Sequence, residues 1–170
     1  MRGSIACLLL VWSAVSVAEA QDDRYLVLAT ERTATMQQEI NAAAARGFRV
    51  VAASPKESSE VVVLLEQTNG KYEYLLLAAA RTATLQREIS DAAGAGYRIV
   101  PRAVTGKGDE VLVLMEKAAD VSADVQYQVL STERTGTLQK EISEASANGY
   151  TLTALAGRGE YVAILERATR

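Results

Sequence analysis

The chain contains no histidine, one cysteine and one tryptophan. The cysteine and the tryptophan are Cys7 and Trp12, and both lie within residues 1–20. If that segment is removed, the rest of the chain has no thiol, imidazole or indole group. We therefore expect no disulfide, no bound metal, no cofactor and no mechanism that needs a histidine as base or ligand.

Residues 1–20 have the pattern of a signal peptide for export. Arg2 supplies a positive charge, residues 5–17 form an apolar segment, and Ala18-Glu19-Ala20 is a cleavage site of small residues. The apolar segment is short for a bilayer span. We expect cleavage after Ala20 and a periplasmic or extracellular location, with an uncleaved membrane anchor as the alternative.

The charged residues are nearly balanced in sign. The chain has 18 Lys and Arg against 21 Asp and Glu, a formal net charge of −3, and the two signs are interspersed. Surfaces that bind nucleic acid or anionic membranes are usually strongly basic. Beyond residue 20, no apolar run approaches the length of a membrane span. We therefore expect neither a nucleic-acid partner nor membrane insertion after signal cleavage.

One sequence pattern, R-T-x-T-[ML]-Q-x-E-I, occurs three times at intervals of about 50 residues. Each copy is followed by a glycine and an aromatic residue, and then by an apolar run that ends in glutamate. The three copies of the pattern occupy residues 32–40, 81–89 and 134–142. They divide the mature chain into repeat 1 (residues 21–67), repeat 2 (residues 68–117) and repeat 3 (residues 118–170).

Each repeat is predicted to fold as strand, helix, strand, strand. Opening strands rich in Tyr, Leu and Val are predicted at residues 24–30, 72–79 and 125–132. In the repeated pattern, apolar residues recur at helical spacing and predict an amphipathic helix. The predicted N-caps of these helices are Thr35, Thr84 and Thr137. The glycines predicted at left-handed C′ positions are Gly47, Gly96 and Gly149.

The last two strands of each repeat differ in their predicted surroundings. Pro101 lacks an N–H group for the strand ladder, which predicts a position at or near an edge for the second strand of repeat 2. The third strands are unbroken apolar runs, which predict burial on both faces. Between repeats 1 and 2, the pair Asn69-Gly70 favours a tight hairpin from the third strand of one repeat to the opening strand of the next.

The repeat resembles a small bacterial domain of strand, helix, strand and strand that is known as a domain of unknown function. The resemblance rests on the Tyr-rich opening strand, the helix that ends in glycine and an aromatic residue, and the hairpin that follows. It covers most of the mature chain, three times over. It implies a fold and carries no activity.

A repeat of about 50 residues is marginally stable alone without a disulfide or metal. Each third strand needs cover on both faces, and one helix covers only one, so another repeat or another chain must meet the other. We predict an α+β fold of three tandem β-α-β-β repeats packed as a pseudo-threefold domain, with helices outside a mixed or antiparallel sheet or barrel. The Asn-Gly turn favours a closed barrel, whereas Pro101 disfavours a fully paired one, so a barrel and three small sheets both remain.

The strongest candidate site is the corner where each opening strand leads into its helix. There an arginine and two threonines stand beside helix N–H groups, a combination that suits a carboxylate, phosphate or sulfate. The alternative is that threonine caps the helix while arginine pairs with a glutamate of a neighbouring repeat. The candidate residues are Arg32, Thr33, Thr35, Arg81, Thr82, Thr84, Arg134, Thr135 and Thr137.

Recurrent glutamates offer another interpretation, because paired carboxylates can cleave glycosidic bonds. A residue repeated in all three copies more naturally serves what the copies share, which is folding, so we expect no enzyme. The sequence favours an exported, non-catalytic binding or assembly module with an unknown protein partner, and oligomerisation is compatible with it. The alternative is a small-anion or small-molecule binding protein that uses the Arg-Thr corners.

Overall fold

The computed structural model describes residues 24–56, 60–119 and 124–169. The predicted signal peptide lies outside these residues. Unit 1 consists of β1 (Tyr25–Thr30), α1 (Thr33–Ala45), β2 (Phe48–Pro55) and β3 (Val61–Gln67). Unit 2 consists of β4 (Tyr72–Ala79), α2 (Thr82–Gly94), β5 (Arg98–Lys107) and β6 (Glu110–Ala118). Unit 3 consists of β7 (Val125–Thr132), α3 (Thr135–Ala147), β8 (Thr151–Gly157) and β9 (Tyr161–Ala168). The predicted α+β fold of three tandem β-α-β-β repeats is confirmed.

Each unit forms its own three-stranded antiparallel sheet with its third strand in the centre. The strand orders are β1-β3-β2, β4-β6-β5 and β7-β9-β8. The sheets are open, so of the two arrangements left by the sequence the chain forms three small sheets. Pro101 lies on the edge strand β5, within the register shift between Ile99 and Val104, as its missing N–H group predicts.

Sheets and helices alternate in a row along the chain. Helix α1 contacts its own sheet and also the opening strand β4 of unit 2, and α2 contacts β7 of unit 3 in the same way. Strand β2 packs against β5, and β5 packs against β8. Among the described residues, no helix or strand of unit 1 packs against unit 3 in this way. The sheets of units 2 and 3 are therefore covered by one helix of their own and by the helix of the preceding unit.

Two hydrophobic cores lie in the seams between consecutive units. In seam 1–2, Met36 and Leu65 of unit 1 are buried together with Tyr74 and Leu114 of unit 2. Seam 2–3 is built in the same way from residues of units 2 and 3. The core beneath α3 is much smaller, and its buried members are Leu138, Ala145, Ala163 and Leu165. Burial in this chain is thus largely a property of pairs of units, as expected for repeats that are too small to stand alone.

The central strand β6 is buried on both faces, as its apolar run predicts. Val113 and Met115 belong to the core of seam 2–3, whereas Leu112 and Leu114 belong to the core of seam 1–2. Successive side chains of a strand point to opposite faces, so one strand can serve two cores. For β3 the same prediction is wrong, because Val62 and Leu64 on its second face are only partly buried.

The helices end as predicted. The glycines that follow them have positive φ, with values of +91° at Gly47, +91° at Gly96 and +85° at Gly149. After α2, the N–H group of Tyr97 donates to the carbonyl of Ala92 at 3.0 Å and closes a Schellman motif. The described helices are 13 residues long, and none is long and apolar enough to cross a membrane.

The helices begin earlier than predicted, and the assignment of Thr35, Thr84 and Thr137 as N-caps is wrong. The helices start at Thr33, Thr82 and Thr135, so the predicted caps already lie within the first turn. The N-cap positions are held by the preceding arginines, whose backbones are extended and whose side chains form no cap. A cap needs an extended backbone, which a threonine inside the helix does not have.

The predicted hairpin at Asn69-Gly70 is also wrong. Strand β3 is the centre of its sheet, and both of its edges are taken by β1 and β2, so it has no edge left for β4. The connection folds back onto the end of α1 instead. There the N–H group of Thr68 donates to the carbonyl of Gly47 at 2.8 Å.

Candidate functional site

The three Arg-Thr corners lie on three successive units. The hydroxyl of Thr82 in corner 2 donates to the hydroxyl of Ser131, near the end of the opening strand of unit 3, at 2.8 Å. The side chains of Arg32, Arg81 and Arg134 are exposed. Their guanidinium groups take no part in the ion pairs of the described residues. The alternative expectation, that these arginines pair with glutamates of neighbouring repeats, is therefore wrong.

Two of the corners receive a cation from the β-hairpin of the following unit. Lys107 of unit 2 donates to the carbonyl of Glu31 in corner 1. Arg158 of unit 3 donates to the carbonyl of Ala79 at 2.8 Å and to the hydroxyl of Thr82 at 3.0 Å in corner 2. The corners thus act as contact points between units, because backbone carbonyls and a hydroxyl accept hydrogen bonds from the cation.

Sequence reasoning overlooked these two cations, although a recurring signal marks them. Each unit carries a cation directly before the turn between its second and third strands and an acidic residue directly after it. The pairs are Lys56 with Glu60, Lys107 with Glu110, and Arg158 with Glu160. At corner 3, Arg134, Thr135 and Thr137 are exposed, and no cation of the described residues reaches them.

The repeated glutamine of the motif binds the edge of the next unit. The amide of Gln37 donates to the carbonyl of Tyr74 at 2.7 Å and accepts from the N–H group of Leu76 at 2.6 Å. The amide of Gln86 does the same with Tyr127 at 2.9 Å and Val129 at 2.8 Å. We call this pair of hydrogen bonds the glutamine bracket. It satisfies an edge strand that would otherwise present unpaired backbone groups.

A buried tyrosine hydroxyl completes each seam. The hydroxyl of Tyr74 accepts from the N–H group of Val50 at 2.9 Å and donates to the Glu116 carboxylate at 2.6 Å. That carboxylate also accepts two hydrogen bonds from Arg49, at 2.8 and 3.0 Å. In seam 2–3 the hydroxyl of Tyr127 accepts from the backbone of the preceding unit in the same way.

This burial makes the protein sensitive to alkali. Burial, together with the hydrogen bond to Glu116, raises the pKa of Tyr74, and burial raises the pKa of Tyr127. The unfolded chain releases these protons near pH 10, whereas the folded chain releases them only at higher pH. Stability is therefore full below about pH 10 and falls above it, by up to about 1.4 kcal/mol per pH unit for each tyrosine.

Urea unfolding between about pH 9 and 12 measures this loss, which follows from the acidity of the phenol group. Tyr127→Phe is expected to reduce the slope of stability against pH, because it removes one of the two buried tyrosine hydroxyls. A free energy of unfolding that stays constant up to the top of this range contradicts the assignment.

The two ends of the row carry the apolar side chains that remain exposed. Among the described residues, the exposed large hydrophobics are Tyr25 (49%), Val27 (60%), Leu152 (46%), Leu155 (53%) and Tyr161 (41%). Tyr25 and Val27, with the partly buried Val62 and Leu64, form the head surface on unit 1. Leu152, Leu155 and Tyr161, with the outer side of α3, form the tail surface on unit 3.

The residues that correspond to Tyr25 and Leu152 inside the row are buried. Tyr25 corresponds to Tyr74 and Tyr127, because each of the three lies opposite the closing glutamate of its own sheet. Tyr74 and Tyr127 are 3% and 5% exposed. Leu152 corresponds to Val50 and Ile99, which are also buried. Each end surface therefore resembles one side of a seam, and no described unit forms the other side.

A groove of about 1020 Å³ lies beside the C-terminal ends of α1 and α2 and is lined in part by Gly47, Tyr72 and Lys117. A smaller cavity of about 450 Å³ lies between β2 and β5. Its wall includes Arg49 and Glu116, whose charges already pair with each other. These polar groups serve the fold of the seam.

Comparison of the chain with known protein families, with curated proteins and with solved structures finds no match. Function has to be inferred from the geometry.

Proposed function

We propose that this chain is an exported, non-catalytic binding or assembly module whose contact surfaces are the head and tail surfaces. The observation that carries the proposal is the location of the exposed large apolar side chains, which lie at the two ends of the row. Contiguous apolar surface of this kind is typical of protein contact sites. The repeated Arg-Thr corners point the same way, since two of them are already used to join units.

Export and family membership belong to the same proposal. Export rests on the positive, apolar and small-residue segments of residues 1–20. Membership of the bacterial domains of unknown function rests on the order of strand, helix, strand and strand in every unit. A non-catalytic role is supported by Glu116, a repeated carboxylate that is buried and engaged by Arg49 and Tyr74 across a seam.

Photocrosslinking in the exporting cell tests the proposed contact surfaces. A benzophenone amino acid replaces Val27 on the head surface or Leu155 on the tail surface, and Gln38, which is exposed on α1, is the control position. We expect covalent protein adducts from the two end positions and none from position 38, because only the ends present seam-like apolar surface. Equal yields at all three positions, or no adduct at the ends, contradict the proposal.

The second candidate is a protein that binds a small anion, or a small molecule with an anionic group, at its Arg-Thr corners. Corner 3 favours it, because Arg134, Thr135 and Thr137 are exposed there and none of the described cations reaches them. A bound ligand raises the unfolding temperature by mass action. A rise with millimolar phosphate or citrate that Arg134→Ala abolishes would support this candidate, and we expect no such rise.

A further inference from the structure

The two ends of the row differ in kind and complement each other. Within the chain, every seam joins the helix side of one unit to the bare sheet face and opening-strand edge of the next. At the head surface a sheet face and the outer edge of β1 lack a preceding helix among the described residues. At the tail surface no following sheet packs against α3 in the described part of the chain. Each end thus presents one half of the seam that the chain builds twice internally.

The glutamine bracket of α3 is already in position. Gln86 is held by Ser90, whose hydroxyl accepts from the side-chain amide at 3.1 Å and donates to the backbone carbonyl of Gln86 at 2.8 Å. Gln139 is held by Ser143 in the same way, at 3.2 and 2.8 Å. The side chain of Gln86 forms hydrogen bonds to the edge of β7. Gln139 is exposed and bonds to no strand edge in the described part of the chain. The amide is therefore oriented before any partner arrives, which lowers the entropy cost of binding.

We propose that the tail surface of one molecule binds the head surface of a second copy and repeats the internal seam. This proposal rests on the proposed function and names its partner. In this contact the side-chain amide of Gln139 donates to the carbonyl of Tyr25 and accepts from the N–H group of Val27 in the second copy. The Tyr25 hydroxyl accepts from the N–H group of Leu152, as Tyr74 accepts from Val50.

The register supports this pairing. Tyr25 lies opposite Glu66, as Tyr74 lies opposite Glu116 and Tyr127 lies opposite Glu166. Equal register places the same backbone groups at the outer edges of β1, β4 and β7. The edge of β1 therefore offers the carbonyl and N–H group that the bracket needs.

The charges at the two ends are also compatible. In seam 1–2, Arg49 of the first unit neutralises Glu116 of the second. The tail surface has Thr151 at the position of Arg49, and so brings no arginine. On the head surface Glu66 already pairs with Arg24 of its own chain at 2.8 Å. The new seam therefore buries no uncompensated carboxylate, which would be costly.

A cation is available for the third corner. Lys56 holds the hairpin position of Lys107 and Arg158, which reach the corners of the preceding units. In the new seam Lys56 of the second copy faces the corner of unit 3, at the carbonyl of Glu133. This assigns corner 3 the same role as the other two.

Such a contact is heterologous, because the head and tail surfaces are different. Repetition of it gives an open filament or, if the rotation closes, a ring. Two substitutions test the head surface and the tail surface separately. Val27→Lys places a charge on the head surface, and Leu152→Lys places one on the tail surface. Both residues are exposed in the single chain, so neither substitution disturbs its core.

The test uses the full chain, expressed with its own residues 1–20 and purified as the exporting host processes it. Sedimentation velocity over a concentration series measures its mass. We expect multiples of the monomer for the unaltered protein and for the control Gln38→Lys. Each end variant alone is expected to be monomeric, with association weakened by at least about tenfold. An equimolar mixture of the two end variants is expected to give a dimer and nothing larger, since one intact head meets one intact tail.

Three results overturn the proposal. An unaltered protein that stays monomeric up to its solubility limit excludes the second copy as the partner. A Leu152→Lys variant that still dimerises indicates pairing of two β1 edges. A mixture that forms no dimer shows that the two surfaces do not meet. If the chain is monomeric while positions 27 and 155 crosslink to a different protein, the proposed function stands and only the head-to-tail contact fails.

Discussion

Replacing Gln86 by alanine is expected to lower the free energy of unfolding by about 2–4 kcal/mol. The amide of Gln86 donates to Tyr127 and accepts from Val129, and its loss leaves two backbone groups of β7 without partners in a seam. A buried polar group without a partner costs about 1–3 kcal/mol. Urea unfolding of the purified variant, fitted with the linear extrapolation, measures the change.

The repeats supply matched controls for this measurement. Gln37→Ala is expected to cost less than Gln86→Ala, because Asn41 also bonds the N–H group and carbonyl of Tyr74 and remains in place. Gln139→Ala is expected to change stability by less than about 0.5 kcal/mol when the protein is dilute, since this amide is on the surface. Equal losses at positions 37, 86 and 139 would show that the glutamine acts within its own helix, and the bracket would then have no energetic role.

Gly106→Ala is expected to destabilise the protein by about 3 kcal/mol or more. Strands β5 and β8 approach so closely that a Cβ atom at position 106 would lie 1.8 Å from the carbonyl oxygen of Gly157. That oxygen belongs to the backbone, so it cannot rotate away as a side chain can. The strands of seam 2–3 must separate, and the contacts of both units across the seam weaken together.

The opposite side of the same contact provides the control. A Cβ atom at Gly157 would meet nothing closer than 4.0 Å, so Gly157→Ala is expected to leave stability nearly unchanged. Gly136→Ala adds a methyl group in α3, where nothing lies within 4 Å, and is expected to stabilise the protein by about 0.5–1 kcal/mol. Thermal unfolding of the three variants gives their order. Similar losses for Gly106→Ala and Gly157→Ala would contradict the close approach of these strands.

The repeated units explain why the ends are the surfaces of interest. An internal unit meets a neighbour on each side, so its sheet face, strand edge and helix are all covered. Among the described residues, units 1 and 3 carry apolar side chains at the corresponding positions, and each of them meets one neighbouring unit. Terminal units of repeat proteins usually need a polar outer face for solubility. Here Tyr25, Val27, Leu152 and Leu155 keep the apolar character of a seam.

Local signals predicted much of this architecture. The three copies of the motif gave the number of units, and helical spacing of apolar residues gave the three helices. The glycines at positions 47, 96 and 149 marked the helix ends, because a left-handed C′ residue is strongly favoured to be glycine. The missing N–H group of Pro101 placed β5 at an edge. Each of these signals acts over a few residues, which is why the sequence alone reveals it.

Other features depend on distant neighbours, so local signals predicted them wrongly or did not predict them. Asn69-Gly70 has the composition of a hairpin turn, but β3 has no free edge once β1 and β2 pair with it. The glutamine of the motif bonds to β4 and β7 of the following units, and no local pattern indicates these contacts. The anion site predicted at the corner residues stays a prediction, but the contacts that Lys107 and Arg158 make there come from the next unit and depend on the tertiary structure.

The sequence by itself determined the repeated unit: its strands, its helix, the C-terminal end of that helix, and the presence of three copies. The tertiary structure alone decided how the units meet, because contacts between residues about 40 positions apart depend on chain closure and packing and not on local preference. Only the tertiary structure shows that the head surface on unit 1 differs from the tail surface on unit 3. The exposed or buried state of an identical position is set by whether a neighbouring unit covers it, and nothing within one repeat encodes that.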